Sequence, residues 1–447
     1  MVRAFLSTQS CLGGWREWHL ADRWGGVATT PGNKLALMTQ SDAPACAGHA
    51  VCSRYNASPI SKPSFSSLSL ARALRIKMNS DKKTIQSIQA LRGLAAILVV
   101  LFHFRTIPGP ANQAVADSLF IYGSIGVTLF FTISGFIVVY ITDDQTEGLT
   151  GGVEFLIKRA CRVLPLYYLV TLGAAGNSLA TLYETGRSML FIPLDGSTVG
   201  PVYGFARIIV GWTLNYEIFF YLLTSLCIML FGRWKWHALL ASIAMLVLSP
   251  SLVFGWNGLS TVTGYPFENV YLKMITNPIL LQFAAGVVIG LIHRAQPKLG
   301  SWFWGAILFA LLPFFVWNYF SGHYSGHDFT GWGFINAALL LTLVMFEQHV
   351  SIRWPKSLLY LGTISYSLYL MHEKVHNFIS KIISRAGVES QVSGWSLLVV
   401  AIVISLLVSM LTHKYVEQKM SAWLREKLLG KLRRGDEKLP EPITSSV

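Results

Sequence analysis

Charge is scarce in this chain. Asp, Glu, Lys and Arg together make up 13% of its 447 residues, where a soluble domain carries about a quarter. Hydrophobic residues reach 53% and the mean hydropathy is +0.48. Repeated long apolar runs against so little charge exclude an ordinary water-soluble enzyme and point to a bilayer. Cysteine is scarce too. Of Cys11, Cys46, Cys52, Cys161 and Cys227, three lie in the N-terminal segment and none shows metal-ligand spacing, which argues against a disulfide framework and against a metal site. A Gly-rich nucleotide loop, a zinc-protease motif and a Gly-x-Ser-x-Gly elbow are all missing. So are internal repeats and low-complexity linkers. The formal net charge of +14 does not indicate nucleic acid, because the cations sit between apolar runs and in the C-terminal tail, as cytoplasmic loops facing an anionic leaflet do.

What is present is apolar periodicity. The pattern predicts an all-α integral membrane protein with about ten transmembrane helices in one bundle, over 86–106, 119–141, 163–183, 208–231, 237–255, 278–293, 302–320, 331–347, 358–380 and 394–415. Cations cluster in alternate loops, at Lys158, Arg159 and Arg162, at Arg233 and Lys235, at Arg294 and Lys298, and at Arg353 and Lys356. That bias predicts both termini on the cytoplasmic side and a multi-pass protein of the inner (plasma) membrane. Residues 1–80 mix Ser, Pro, Gly and Trp with scattered charge and hold no spanning run. They are expected either to lie upstream of a natural start near Met78 or to form a disordered cytoplasmic extension. Residues 81–420 are expected to be the membrane domain, and 421–447 an amphipathic basic tail against the inner leaflet.

The first membrane run carries Arg92 and His103. Eleven residues of helix are about three turns, so both side chains share a face, about 16 Å apart along the axis. Ionisable groups in a membrane helix are costly and usually face a cavity or a partner. As a structural residue His103 is a neutral imidazole bonded to a neighbouring helix. As a catalytic residue it is a general base for a hydroxyl. Glu217, in Trp212-Thr-Leu-Asn-Tyr-Glu217, is either a second acid/base or half of a structural salt bridge. Trp212, Asn215 and Tyr216 beside it are substrate contacts or interfacial belt residues.

Lys158-Arg-Ala-Cys-Arg162 has a bland reading as a positive-inside anchor. Its functional reading is a phosphate clamp joined by Arg92, since guanidinium forks match phosphate oxygens. A phosphate-rich donor such as coenzyme A suits it, with its thioester arm extending toward His103. Gly123-Ser-Ile-Gly-Val-Thr128 and Ser134-Gly135 offer small residues for close helix packing or for backbone approach to a ligand. Tyr366 and His372, in Ile364-Ser-Tyr-Ser-Leu-Tyr-Leu-Met-His372, line the cavity or sit at the interface. His323 and His327, four apart, lack a third metal ligand and read as part of a solvated loop.

Ile88-Gln-Ala-Leu-Arg-Gly-Leu-Ala-Ala with His103, Gly126-Val-Thr-Leu-Phe-Phe-Thr-Ile-Ser-Gly-Phe136, Lys158-Arg-Ala-Cys-Arg-Val-Leu-Pro-Leu-Tyr167, Trp212-Thr-Leu-Asn-Tyr-Glu217 and Ile364–His372 follow one another in the order seen in the bacterial acyltransferase 3 family. The chain resembles that family over roughly residues 85–420, and most of all its exopolysaccharide-acylating members. The resemblance implies transfer of acetyl or another short acyl group from cytoplasmic acyl-CoA to a hydroxyl of a glycan or lipid-linked sugar, with no permanently bound cofactor. It implies functional roles for Arg92 and His103. The usual Arg-Arg-x-x-Arg is here Lys158-Arg159-x-x-Arg162, which keeps the charge and loses one fork. Some relatives carry an extracytoplasmic hydrolase-like domain. None is expected here, so the protein acts alone or hands its acyl group to a separate protein. The competing function is an acyl-group or small-solute transporter, because intramembrane Arg, His and Glu also suit a proton-coupled pump.

Overall fold

The computed structural model describes residues 85–142, 146–387 and 394–436, all within the unit Asp81–Val447. The expected extension over residues 1–80 and the last part of the basic tail lie outside the described residues. Every regular element among the described residues is helical. The long helices are α1 (Gln86–Phe104), α2 (Ile125–Ile141), α3 (Gly148–Leu172), α4 (Trp212–Phe231), α5 (Lys235–Leu248), α6 (Leu280–Ala295), α7 (Ser301–Ser321), α8 (Phe334–His349), α9 (Lys356–Ala386), α10 (Trp395–Thr412) and α11 (Ser421–Asp436).

Seven stretches among the described residues are long and apolar enough to cross a membrane: Gln86–Phe104, Pro110–Ile141, Ile209–Phe254, Val270–Ala295, Ser301–Ser321, Phe329–His349 and Trp395–Leu432. Ile209–Phe254 holds both α4 and α5, which part at Gly232, whose φ of +47° lies in the left-handed region that glycine enters at no steric cost. Helices α3 and α9 are outside this set because they carry the polar residues of the interior. By contrast α7 buries only 17% of its apolar window, and Trp302 and Phe309 stand 77% and 81% exposed. That bare apolar face is what a lipid-facing helix presents.

The third helix departs from its expected 163–183. It begins at Gly148 and ends at Leu172, so Lys158, Arg159 and Arg162 lie within the helix and not in a loop before it. Hydropathy missed its first half because those cations interrupt the apolar run, although Phe155, Cys161, Val163 and Leu166 are buried. It stops early because Gly173-Ala-Ala-Gly176 precedes a new start. There the Ser178 side chain accepts from Thr181 N at 3.3 Å and opens the short helix Leu179–Met189, as an N-cap serine does.

Close backbone contact sets the packing. Gly93 of α1 meets the backbone of α9 near Leu358 and Gly362, and Gly362 in turn lies on the Gln89 carbonyl. Gly135 of α2 and Gly286 of α6 face each other in the same way. A methyl at any of these positions would overlap backbone, so the small-residue motif serves packing, as small residues at membrane helix crossings do. Phe131 of α2, Phe220 of α4 and Phe283 of α6 stack with centroids 4.5–4.7 Å apart in the core between them. Two helix ends are held from neighbouring helices. The Glu347 carboxylate of α8 accepts from Gln86 N and Ser87 N, both at 2.8 Å, at the start of α1. Arg294 of α6 donates to the Val139 and Thr142 carbonyls at the end of α2. Each places a charge where the helix dipole favours it.

Candidate active site

A cavity of about 70 Å³ lies between α1, α2, α3, α4 and α9. One water needs about 10–15 Å³ by this measure, so the space admits a few waters or a slender chain and excludes a nucleotide. Its lining includes Arg92, Arg159, Arg162, Ser134, Glu217, Tyr221, Ser365, Tyr366 and Tyr369, set among Val127, Phe130, Phe131, Ile133 and Ile137.

Each polar side chain there is placed by its helix. Arg92 is 9% exposed; its Nη2 donates to Ser365 Oγ at 2.8 Å and its Nη1 to Gln89 Oε1 at 3.3 Å. Arg159 is buried, with its guanidinium over the rings of Phe155 and Tyr221 at 5.9 and 5.6 Å, a cation–π arrangement. Its Nε is buried with no hydrogen-bond partner. Arg162 lines the same cavity one turn on, and among the described residues its guanidinium has neither a hydrogen bond nor an ion pair. Glu217 Oε1 accepts from Tyr221 OH at 2.5 Å and from Ser134 Oγ at 3.2 Å. Tyr366 OH donates to Val163 O at 2.7 Å. The result is a partly open site with a surplus of cationic N–H donors.

Next to this cavity stands a histidine pair. His103 Nδ1 lies 2.9 Å from Val99 O and 3.3 Å from His372 Nε2, and His372 Nδ1 lies 3.0 Å from Leu368 O. Tyr369 joins the pair to the cavity. It lines the cavity, its ring centroid is 6.1 Å from that of His372, and its hydroxyl is held by Thr213 Oγ1 and Val210 O at 2.8 and 3.1 Å.

The expected face shared by Arg92 and His103 is therefore present, since both side chains meet α9, one at Ser365 and the other at His372. Arg159, Arg162, Glu217 and Tyr366 join Arg92 in the cavity. Lys158 does not. It is half exposed and paired with Glu154 at 2.9 Å, because position 158 falls on the outer side of α3. Trp212, Asn215 and Tyr216 also stay out of the lining. They occupy the other side of α4, where Tyr216 OH donates to Pro201 O at 2.8 Å and the Trp212 ring lies 5.9 Å from that of His327.

The loop before α8 is not simply solvated. His323 is exposed, but His327 is half-buried, and Asp328 Oδ1 accepts from both Thr261 N and Thr261 Oγ1 at 2.6 Å. Burial pushes the His327 imidazole down to about 4, against the opposing pull of Asp328. Thr213, Tyr221, Ser365 and Tyr369 were not singled out from the sequence, and Ser134, read there as a small packing residue, donates to Glu217. A signal existed for Tyr221, which follows Glu217 by one helical turn. Another existed for Ser365 and Tyr369, which lie in the same motif as Tyr366 and His372.

Comparison with known proteins agrees with this architecture. The exopolysaccharide production protein ExoZ of Rhizobium meliloti (strain 1021) is 26% identical over 320 residues, covering 67% of this chain and 90% of that protein. The acyltransferase MdmB of Streptomyces mycarofaciens is 27% identical over 391 residues, 81% of this chain and 97% of its own. Nodulation protein 10 of Rhizobium leguminosarum bv. viciae is 25% identical over 320 residues, 65% and 83% respectively. No solved structure matches the chain. The family model described as "Acyltransferase domain" matches residues 85–414, a span that takes in α1 to α10 and every residue of the cavity; the chain belongs to this acyltransferase 3 family and is a multi-pass membrane enzyme that transfers acyl groups other than aminoacyl groups.

Proposed function

We propose that the protein transfers an acetyl or other short acyl group from cytoplasmic acyl-CoA to a hydroxyl of a cell-surface or exported glycan. It does so from the inner membrane, which it spans ten times with both termini in the cytoplasm. The observation that carries this reading is the orphaned Nε of Arg159 beside the Arg162 guanidinium, which has no protein partner among the described residues, on a small cavity also lined by Tyr369, the ring neighbour of His372. A buried donor without a protein partner, as at Arg159 Nε, is costly, and a phosphorylated donor with a thin thioester arm satisfies it together with the Arg162 fork. The name of the Rhizobium meliloti relative, an exopolysaccharide production protein, supports a glycan as acceptor.

In the proposed step the acceptor hydroxyl gives its proton to His103 Nε2 while its oxygen attacks the thioester carbonyl carbon. The C–O bond forms, the C–S bond breaks, and the proton passes from His103 to the departing sulfur as free coenzyme A leaves. Arg92, Arg159 and Arg162 hold the donor. Glu217, fixed by Ser134 and Tyr221, offsets their charge. Tyr366 contacts the acyl arm. Lys158, Trp212, Asn215 and Tyr216 stand outside the cavity lining.

The arginine clamp makes a separable prediction. Arg162→Ala removes a contact made by bound donor before and during reaction, so it raises KM for acyl-CoA by about ten-fold, the value of one charge-assisted bond, and leaves kcat near wild type. An unchanged KM would remove Arg162 from donor binding.

A further inference from the structure

The histidine pair holds a proton arrangement that the cavity chemistry alone does not require. A carbonyl oxygen only accepts hydrogen bonds, so the contacts to Val99 O and Leu368 O place a hydrogen on Nδ1 of both His103 and His372. The contact between the rings then has one direction: His103 Nδ1–H is shared between Val99 O and the lone pair of His372 Nε2. The reverse direction would set the lone pair of each Nδ1 against a carbonyl lone pair. His103 Nε2 is left as a lone pair with no hydrogen-bond partner among the described residues. His372 is fully buried, with both ring nitrogens used in this way.

We infer that His372 is a positioning residue for His103: a neutral imidazole on α9 that fixes the His103 ring, keeps its Nε2 free as the base, and supports the imidazolium formed when Nε2 takes the acceptor proton. This rests on the reading of His103 as the general base. The physical reason is differential. The Nδ1–H of an imidazolium is a stronger donor than that of a neutral imidazole, so the bond to His372 Nε2 strengthens as charge develops, and stabilisation that grows toward the transition state raises kcat. Here a second histidine does for the base what a carboxylate does in hydrolase triads. A neutral acceptor suits a membrane interior, because it adds no buried anion to be neutralised.

The role separates from a substrate contact. His372→Leu, measured on the full chain in lipid nanodiscs with acyl-CoA and a lipid-linked glycan, is expected to lower kcat by about ten-fold or more, part of the 10²–10⁴-fold typical of a general base, with KM for both substrates unchanged. His372→Gln, whose amide oxygen also accepts from His103 Nδ1–H, is expected to recover part of that loss. A raised KM with unchanged kcat, or no change in either, would overturn the inference. A second readout needs neither turnover nor a variant that folds. In wild-type protein with ¹⁵N-labelled histidine, NMR is expected to show a nitrogen–nitrogen coupling across the His103 Nδ1–H bond to His372 Nε2. Its absence would overturn the pairing. Its presence in a protein that turns over no acyl-CoA would instead place the failure in the functional reading.

Discussion

A histidine ring in an apolar surrounding has to place two nitrogens, and the chain resolves this differently at three positions. His103 and His372 hydrogen-bond to each other and to the carbonyls of their own helices. His327 leaves Nδ1 buried without a partner, and burial lowers its imidazole to about 4. In the unfolded chain the same ring titrates near 6.5. Between those two values the unfolded state binds the proton and the folded state does not, so stability is full above about 6.5 and is lost as pH falls toward 4. Thermal unfolding of detergent-purified protein at pH 7 and pH 4.5 is expected to show a larger drop for wild type than for His327→Gln. Equal drops would mean that His327 stays neutral for no energetic reason in the fold.

At the scale of elements, α1 was legible in full. Its apolar run, its Arg92–His103 spacing and the face they share are all consequences of helical geometry acting on one uninterrupted pattern. The third helix was not. Hydropathy averages over a window, and the cations at 158, 159 and 162 lower that average although two of them face protein and only Lys158 faces outward. A window cannot distinguish a cation in a loop from a cation on the inner side of a helix. The same limit affected α4. The motif from Trp212 to Glu217 was identified as a unit, yet helical rotation sends Thr213 and Glu217 into the cavity and leaves Trp212, Asn215 and Tyr216 out of its lining, with the Trp212 and Tyr216 rings behind Phe131. Partners across the bundle, such as Ser134 on Glu217 and Ser365 on Arg92, leave no trace in one sequence because their separation along the chain is arbitrary.

At the scale of the whole molecule, the functional reading depends on which side of the membrane each end of the cavity faces. The proposed topology of ten spans with both termini inside puts the arginine cluster toward the cytoplasm, the side of the proposed acyl-CoA donor, and His103 toward the opposite face. The loops test this. In a background lacking the native cysteines, Ser325→Cys between α7 and α8 is expected to react with a membrane-impermeant thiol reagent in intact cells. Lys298→Cys between α6 and α7 is expected to react only after permeabilisation. Both positions are exposed, so the reverse pattern would invert the topology and place the arginines on the wrong side for a cytoplasmic donor.

The central claim is that acyl transfer runs through His103. The most direct measurement is release of free coenzyme A, together with acylation of a lipid-linked or polymeric glycan, by purified wild-type and His103→Ala protein. Loss of a general base costs about 10²–10⁴-fold, so the account predicts coupled coenzyme A release and glycan acylation in wild type and a fall of at least 10²-fold in the variant, with the protein still folded and inserted. Equal turnover by the two proteins would contradict it and move the chemistry away from His103.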